Sequence, residues 1–202
     1  MLKQLFTKKS KEATFWDWFS KNSDKYFHFE KNQNTIFPKL KTELEKIHPD
    51  LTFEFSSILH DGTREFVVSA DGIKSVFPLV TDLVKQAPII PRWKIRAFRQ
   101  PRREITQLTY QSLTINFEDV FFRYAKDNGK VGLELNIRGF YESPEWNAAA
   151  FILLDNVLGE YDTEMSLSYI DKKALDENEV GNLFPIKALP RVIQDCRSEL
   201  NN

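Results

Sequence analysis

The sequence predicts an α+β fold, and three observations carry that prediction. Apolar residues alternate with polar ones at Leu51, Phe53 and Phe55, the period of a strand with one buried face, and Glu65 to Ala70 returns as a second strand. Two turn signals, Asp61-Gly62 and Asn128-Gly129, stand 67 residues apart, each between two strand-like runs. After each returning strand come apolar residues at helical spacing and then a further strand, beginning at Trp93 and at Thr163, 70 residues apart. Together they give an antiparallel-rich sheet built from two pseudo-repeated ββαβ units, 51–99 and 120–170, with the helices on one face. Residue identities barely match between the units, so pattern alone carries the repeat.

In chain order, residues 1–12 read as a mobile lead-in. Thr14 caps a helix carrying Phe15, Trp16, Trp18, Phe19, Tyr26 and Phe27, with Asp17 in its first turn. Ile36, Phe37, Leu40, Leu44 and Ile47 mark a second helix over 35–47, so that 14–48 form an N-terminal helical hairpin. In the first unit a helix over 75–86 follows the paired strands. Pro88 and Pro91 then punctuate before a closing strand over 93–98. Residues 113–117 read as a linking strand. The second unit runs through strands over 120–124 and 131–137. Ser143-Pro144-Glu145 then starts a helix ending at Gly159, read as a left-handed cap, and 163–169 close the unit. A C-terminal segment over 183–200 ends in a short helix opened by Leu189-Pro190.

Length and composition fit one domain over 1–202. A chain of this size buries roughly 70% of its unfolded surface. Its 17 Phe point to a core of large rings. Lys plus Arg total 28 against 29 Asp plus Glu, a balance that argues against a dedicated nucleic-acid binder. A single cysteine, Cys196, allows no internal disulfide and fits a reducing compartment. No apolar run reaches the 18 or so residues of a membrane span, and no signal-type apolar region follows the early lysines, so a cytoplasmic location is expected.

No motif for a metal or cofactor emerges. His28, His48 and His60 lack a second ligand at helical or turn spacing. There is no nucleophile elbow and no glycine-rich phosphate loop. Asp127-Asn128-Gly129 starts like a calcium loop but lacks the later ligands, and is a type I′ hairpin turn. Arg138-Gly139-Phe140-Tyr141 begins like an RNA-recognition strand and then breaks at Glu142-Ser143-Pro144.

Three clusters remain. Arg92, Lys94, Arg96, Arg99, Arg102 and Arg103 fall within twelve residues, with Arg92, Lys94 and Arg96 on one strand face and Trp93, Ile95 and Ala97 on the other. Guanidinium groups so arranged suit phosphate or carboxylate, and Arg96, Arg99 and Arg103 are the candidate anion ligands, facing Glu54 or Glu134. The plainer account is cross-strand pairing with Glu54 and Glu65. Asp155, Glu160, Tyr161 and Asp162 beside Gly159 offer paired carboxylates, or simply a charged connection after a helix end. Trp16 and Trp18 lie in a run of aromatics too wide for one helix face. They are the candidate partner surface, unless the helices bury them against the sheet.

The segment Ile152-Leu153-Leu154-Asp155-Asn156-Val157-Leu158-Gly159-Glu160-Tyr161-Asp162 resembles a run in a family of uncharacterised bacterial cytosolic proteins. Arg64 to Gly72, Ala97-Phe98-Arg99 and Phe15 to Phe19 are similar to the same family. The resemblance implies a bacterial, cytosolic source and brings no activity with it. The functional expectation is a non-enzymatic binding or interaction module with a protein partner or a second copy. The alternative is an enzyme or sensor taking an anionic small molecule on the basic strand.

Overall fold

The computed structural model describes residues 9–200, which mix α and β structure and form two compact units dividing between Phe98 and Arg99. Each unit has its own apolar core, where a single domain over 1–202 was expected. Most of the expected lead-in lies outside the described residues.

The first unit opens with helices α1 (Lys11–Phe27) and α2 (Gln33–Glu45). Ser10, not Thr14, caps α1: its hydroxyl accepts the Ala13 N–H at 3.1 Å, and Thr14 is already in the first turn. Strand β1 (Thr52–Phe55) pairs antiparallel with β2 (Arg64–Ser69), placing Phe53 opposite Val68 and Phe55 opposite Phe66. In the turn between them Gly62 takes a φ of +75°, and Asp61 accepts the Thr63 N–H. After helix α3 (Phe77–Lys85), β3 (Trp93–Ala97) lies parallel to β2, with Ile95 opposite Phe66. The three-stranded sheet has the order β1-β2-β3.

The core of this unit is aromatic. Phe19 sits 4.6 Å from Phe66, ring centre to ring centre, and 5.4 Å from Trp93. Trp16 is 2% exposed and donates its indole N–H to the Leu83 carbonyl of α3 at 2.8 Å. The proposed Trp16 surface is therefore corrected to core, with the indole's polar edge satisfied inside. Trp18 is partly buried against the same cluster.

The second unit begins with a hairpin of β4 (Gln107–Tyr110) and β5 (Leu113–Asn116), where a single linking strand was expected. Strands β6 (Val120–Asp127) and β7 (Lys130–Ile137) then pair antiparallel, with Asn128 and Gly129 both at positive φ in the turn. Ser143 caps helix α4 (Pro144–Leu158) by accepting the Trp146 N–H. The next element is helix α5 (Glu160–Ser166), and only then strand β8 (Leu167–Ala174), parallel to β7. The strand expected over 163–169 is thus displaced. Glu160, Thr163 and Ser166 are the buried positions, which is helical spacing, and Glu160 and Asp162 suit the positive end of a helix. A short β9 (Phe184–Pro185) pairs with the other side of β6, giving the sheet order β8-β7-β6-β9, and α6 (Leu189–Leu200) closes the chain.

Val131, Leu133, Leu135 and Ile137 of β7 form one core with Leu153, Leu154 and Leu158 of α4 and Leu189 and Ile193 of α6. On the opposite face of β7, Glu134 pairs with Lys173 of β8 at 2.6 Å. Among the described residues no helix is long and apolar enough to cross a membrane.

Candidate functional site

Cations without an acidic neighbour are costly to gather in one place, so a cluster of them marks a surface that an anion would stabilise. Most of the basic residues here do not meet that condition. Arg96 places its Nε 3.1 Å from Glu65 on β2, Lys94 reaches Asp61 at 2.5 Å, and Arg92 reaches Asp24 at 2.5 Å. Arg92 also lies over the Phe27 ring at 4.1 Å. Hydrogen bonds from Lys94 and then Thr63 hold the Asp61 carboxyl well below its ordinary range. The cations over 92–96 are a paired face of the first unit.

Arg99 belongs to the second unit and meets the acidic joint between α4 and α5. Its backbone N–H donates to Glu160 Oε2 at 3.2 Å, and its guanidinium lies 3.8 Å from Glu160 and 3.9 Å from Asp155. Glu160 is 1% exposed. Burial pushes the Asp155 carboxyl up to about 6, opposed by Arg99 and reinforced by Glu160. Gly159 makes this joint possible. Its φ of 84° and ψ of 153° belong to a region only glycine occupies readily, so it is not the left-handed cap expected. A Cβ there would stand 3.0 Å from Pro101 Cδ and 3.1 Å from the Arg99 carbonyl oxygen.

Beyond Arg99 the chain passes along the end of α4, pinned by the Arg102 N–H on the Asn156 carbonyl at 2.8 Å. This segment, the last turn of α4 and one face of α6 enclose a cleft of about 870 Å³. Its apolar lining comes from Ile105, Phe117, Val157, Leu158 and Ile193. Five cations also line it, Arg102, Arg103, Lys187, Arg191 and Arg197, against two acids, Asp162 and Asp195. Asp162 is firmly held, and Asp195 has a looser neighbour. Arg197 holds Asp162 at 2.6 Å and Ser166 at 2.5 Å, and Arg191 stands 3.8 Å from Asp195 one helical turn away. Arg102, Arg103 and Lys187 are exposed and have no acidic partner among the described residues.

Of the three arginines expected to share an anion, only Arg103 lines this cleft. Arg96 pairs with Glu65 in the first unit, and Arg99 serves the buried carboxylates. Glu134, read as facing the arginines, is engaged by Lys173, whose hydrogen bond holds its carboxyl below the ordinary value. Sequence reading missed Lys187 and the basic face of α6. Their only signal is the helical spacing of Lys187 and Arg191, which says nothing about what they will meet. Among the described residues no group of three or more His, Cys, Asp or Glu is placed to hold a metal ion.

Comparison of the chain with models of known protein families, with curated proteins and with solved structures gives no match.

Proposed function

We propose that this chain is a non-enzymatic binding module whose ligand is an anion seated in the cleft of the second unit. One observation carries the reading: Arg102 and Arg103 on one wall and Lys187 on another line a concave site without a carboxylate to neutralise them. A volume of about 870 Å³ suits a small organic molecule. Paired arginines favour an oxyanion over a halide, because the guanidinium fork matches two oxygens at once. Arg197 holds Asp162 and Asp195 is an exposed residue beside Arg191, neither of which favours an acid–base role.

The alternative, a sensor or enzyme acting on an anionic small molecule, would use the same cleft and not the strand over 92–96. The common strand–strand–helix–strand order of the two sheets supports reading the chain as a pseudo-duplication. With it go an N-terminal helical hairpin and a cytoplasmic, bacterial setting.

The test is thermal and chemical stability in the presence of pyrophosphate, citrate or sulfate at matched ionic strength. At a hundredfold excess over Kd, one bound anion stabilises the fold by about 2.7 kcal/mol. The Arg103→Ala, Lys187→Ala double variant is expected to fold normally and lose that response. An equal response in the double variant, or none from any multivalent anion, overturns the reading.

A further inference from the structure

We infer that the ligand of the cleft is an organic phosphate with an apolar body, not a bare inorganic anion. The inference rests on the binding reading above and deepens it. The cleft has two chemistries. Arg102, Arg103 and Lys187 supply three unneutralised cations, enough to meet the charge of nearly −2 that a phosphate monoester carries at neutral pH. Beside them the cleft also offers apolar groups that a bare anion would not use. Phe117, Leu158 and Ile193 belong to the buried core of the unit, and Ile105 and Val157 pack on its edge. The apolar surface open to a ligand beside the cations is therefore that of the half-buried Ile105 and Val157, backed by the buried Phe117, Leu158 and Ile193.

Such a surface stays wet and unfavourable when the ligand is only a phosphate. A phosphate esterified to an aliphatic or ring body covers it while its head stays on the arginines. The cleft is a half-open hollow between 101–105, α4 and α6, not a flat apolar face, which suits a small free molecule. The proposal accordingly commits to a soluble phosphate ester and not to a lipid headgroup in a membrane.

The experiment is calorimetric titration of the full chain with inorganic phosphate, methyl phosphate, butyl phosphate and hexyl phosphate at fixed ionic strength. Each methylene buried is worth roughly fourfold in affinity. Butyl phosphate is therefore expected to bind at least about tenfold tighter than methyl phosphate. Ile105→Ser and Val157→Ala should flatten that increase while leaving methyl phosphate unchanged, and Arg103→Ala should weaken every member of the series alike. Equal affinity along the series overturns this inference and leaves the anion-binding reading standing. No binding by any member, together with none by pyrophosphate, overturns both. Retention on vesicles containing phosphatidate, without binding of butyl phosphate in solution, also overturns it.

Discussion

A carboxyl group under cover of the protein and beside a second carboxylate keeps its proton to higher pH, and Asp155 is in that position. Unfolded, it titrates near 3.8, and folded, near 6, with burial the main cause. Between those values the folded chain binds the extra proton, so the stability this group contributes falls as pH rises through the window and levels off above it. The difference of about two units corresponds to something on the order of 3 kcal/mol. Asp155→Asn cannot ionise. Its stability relative to the parent chain should rise between pH 4 and pH 7 by an amount of that order, read from urea unfolding at both pH values. A difference that stays constant with pH would show that Asp155 ionises as freely in the fold as outside it. Arg64 is the contrasting case, a cation that is 1% exposed. Its two terminal nitrogens reach the Ser56 carbonyl and Glu30 at 2.6 Å each, and its guanidinium lies 4.5 Å from the Phe29 ring. Only its Nε lacks a partner. It reads as a structural pin of the first unit, since hydrogen bonds and ring contacts account for nearly all of its surroundings.

At the scale of elements, the joint between α4 and α5 depends most on a single residue. Gly159 ends one helix and starts the next, accepting the Thr163 N–H while its own N–H reaches Asp155. Gly159→Ala is expected to cost about 2–3 kcal/mol, from backbone strain together with the crowding against Pro101 and Arg99. Gly181→Ala, where a Cβ meets nothing within 4 Å, should stay within about 0.5 kcal/mol of the parent. Equal losses at both positions would remove the geometric argument. This joint also marks where sequence reading stops. Alternation over Leu51 to Phe55 and along β7, together with the Asp61-Gly62 and Asn128-Gly129 turns that return each chain segment, made β1, β2, β6 and β7 legible. The run Thr163-Glu164-Met165-Ser166-Leu167-Ser168-Tyr169 satisfies strand and helix patterns equally, and only the restart at Gly159 decides it. Strand β4, Gln107–Tyr110, has no buried position and no Asx-Gly turn after it, so neither signal marked it.

At the scale of the molecule, the cores fall on either side of Phe98 and Arg99, and the basic run over 92–103 is divided between them. Counting cations located the charge but not its neighbours. Arg92, Lys94 and Arg96 meet carboxylates supplied by α1, the β1–β2 turn and β2. Arg102 and Arg103 meet none, and their counterpart Lys187 arrives from a distant stretch of chain. The aromatic run left two readings open, a partner surface or burial, for a related reason. Helix α1 is covered from several directions at once, by α3 at Trp16, by the sheet at Phe19 and by α2 at Tyr26, whose hydroxyl donates to the Ile36 carbonyl. Phe15, Trp16 and Phe19 are therefore buried, and Trp18 partly so. The central claim is that the unpaired cations of the second unit, and not the paired strand of the first, hold the ligand. Its most direct test is a nitrogen–proton correlation spectrum of the full chain during titration with pyrophosphate at constant ionic strength. Saturable shifts confined to residues 101–105 and 187–197 are the predicted result, and shifts centred on 92–96, or scattered without saturation, would contradict it.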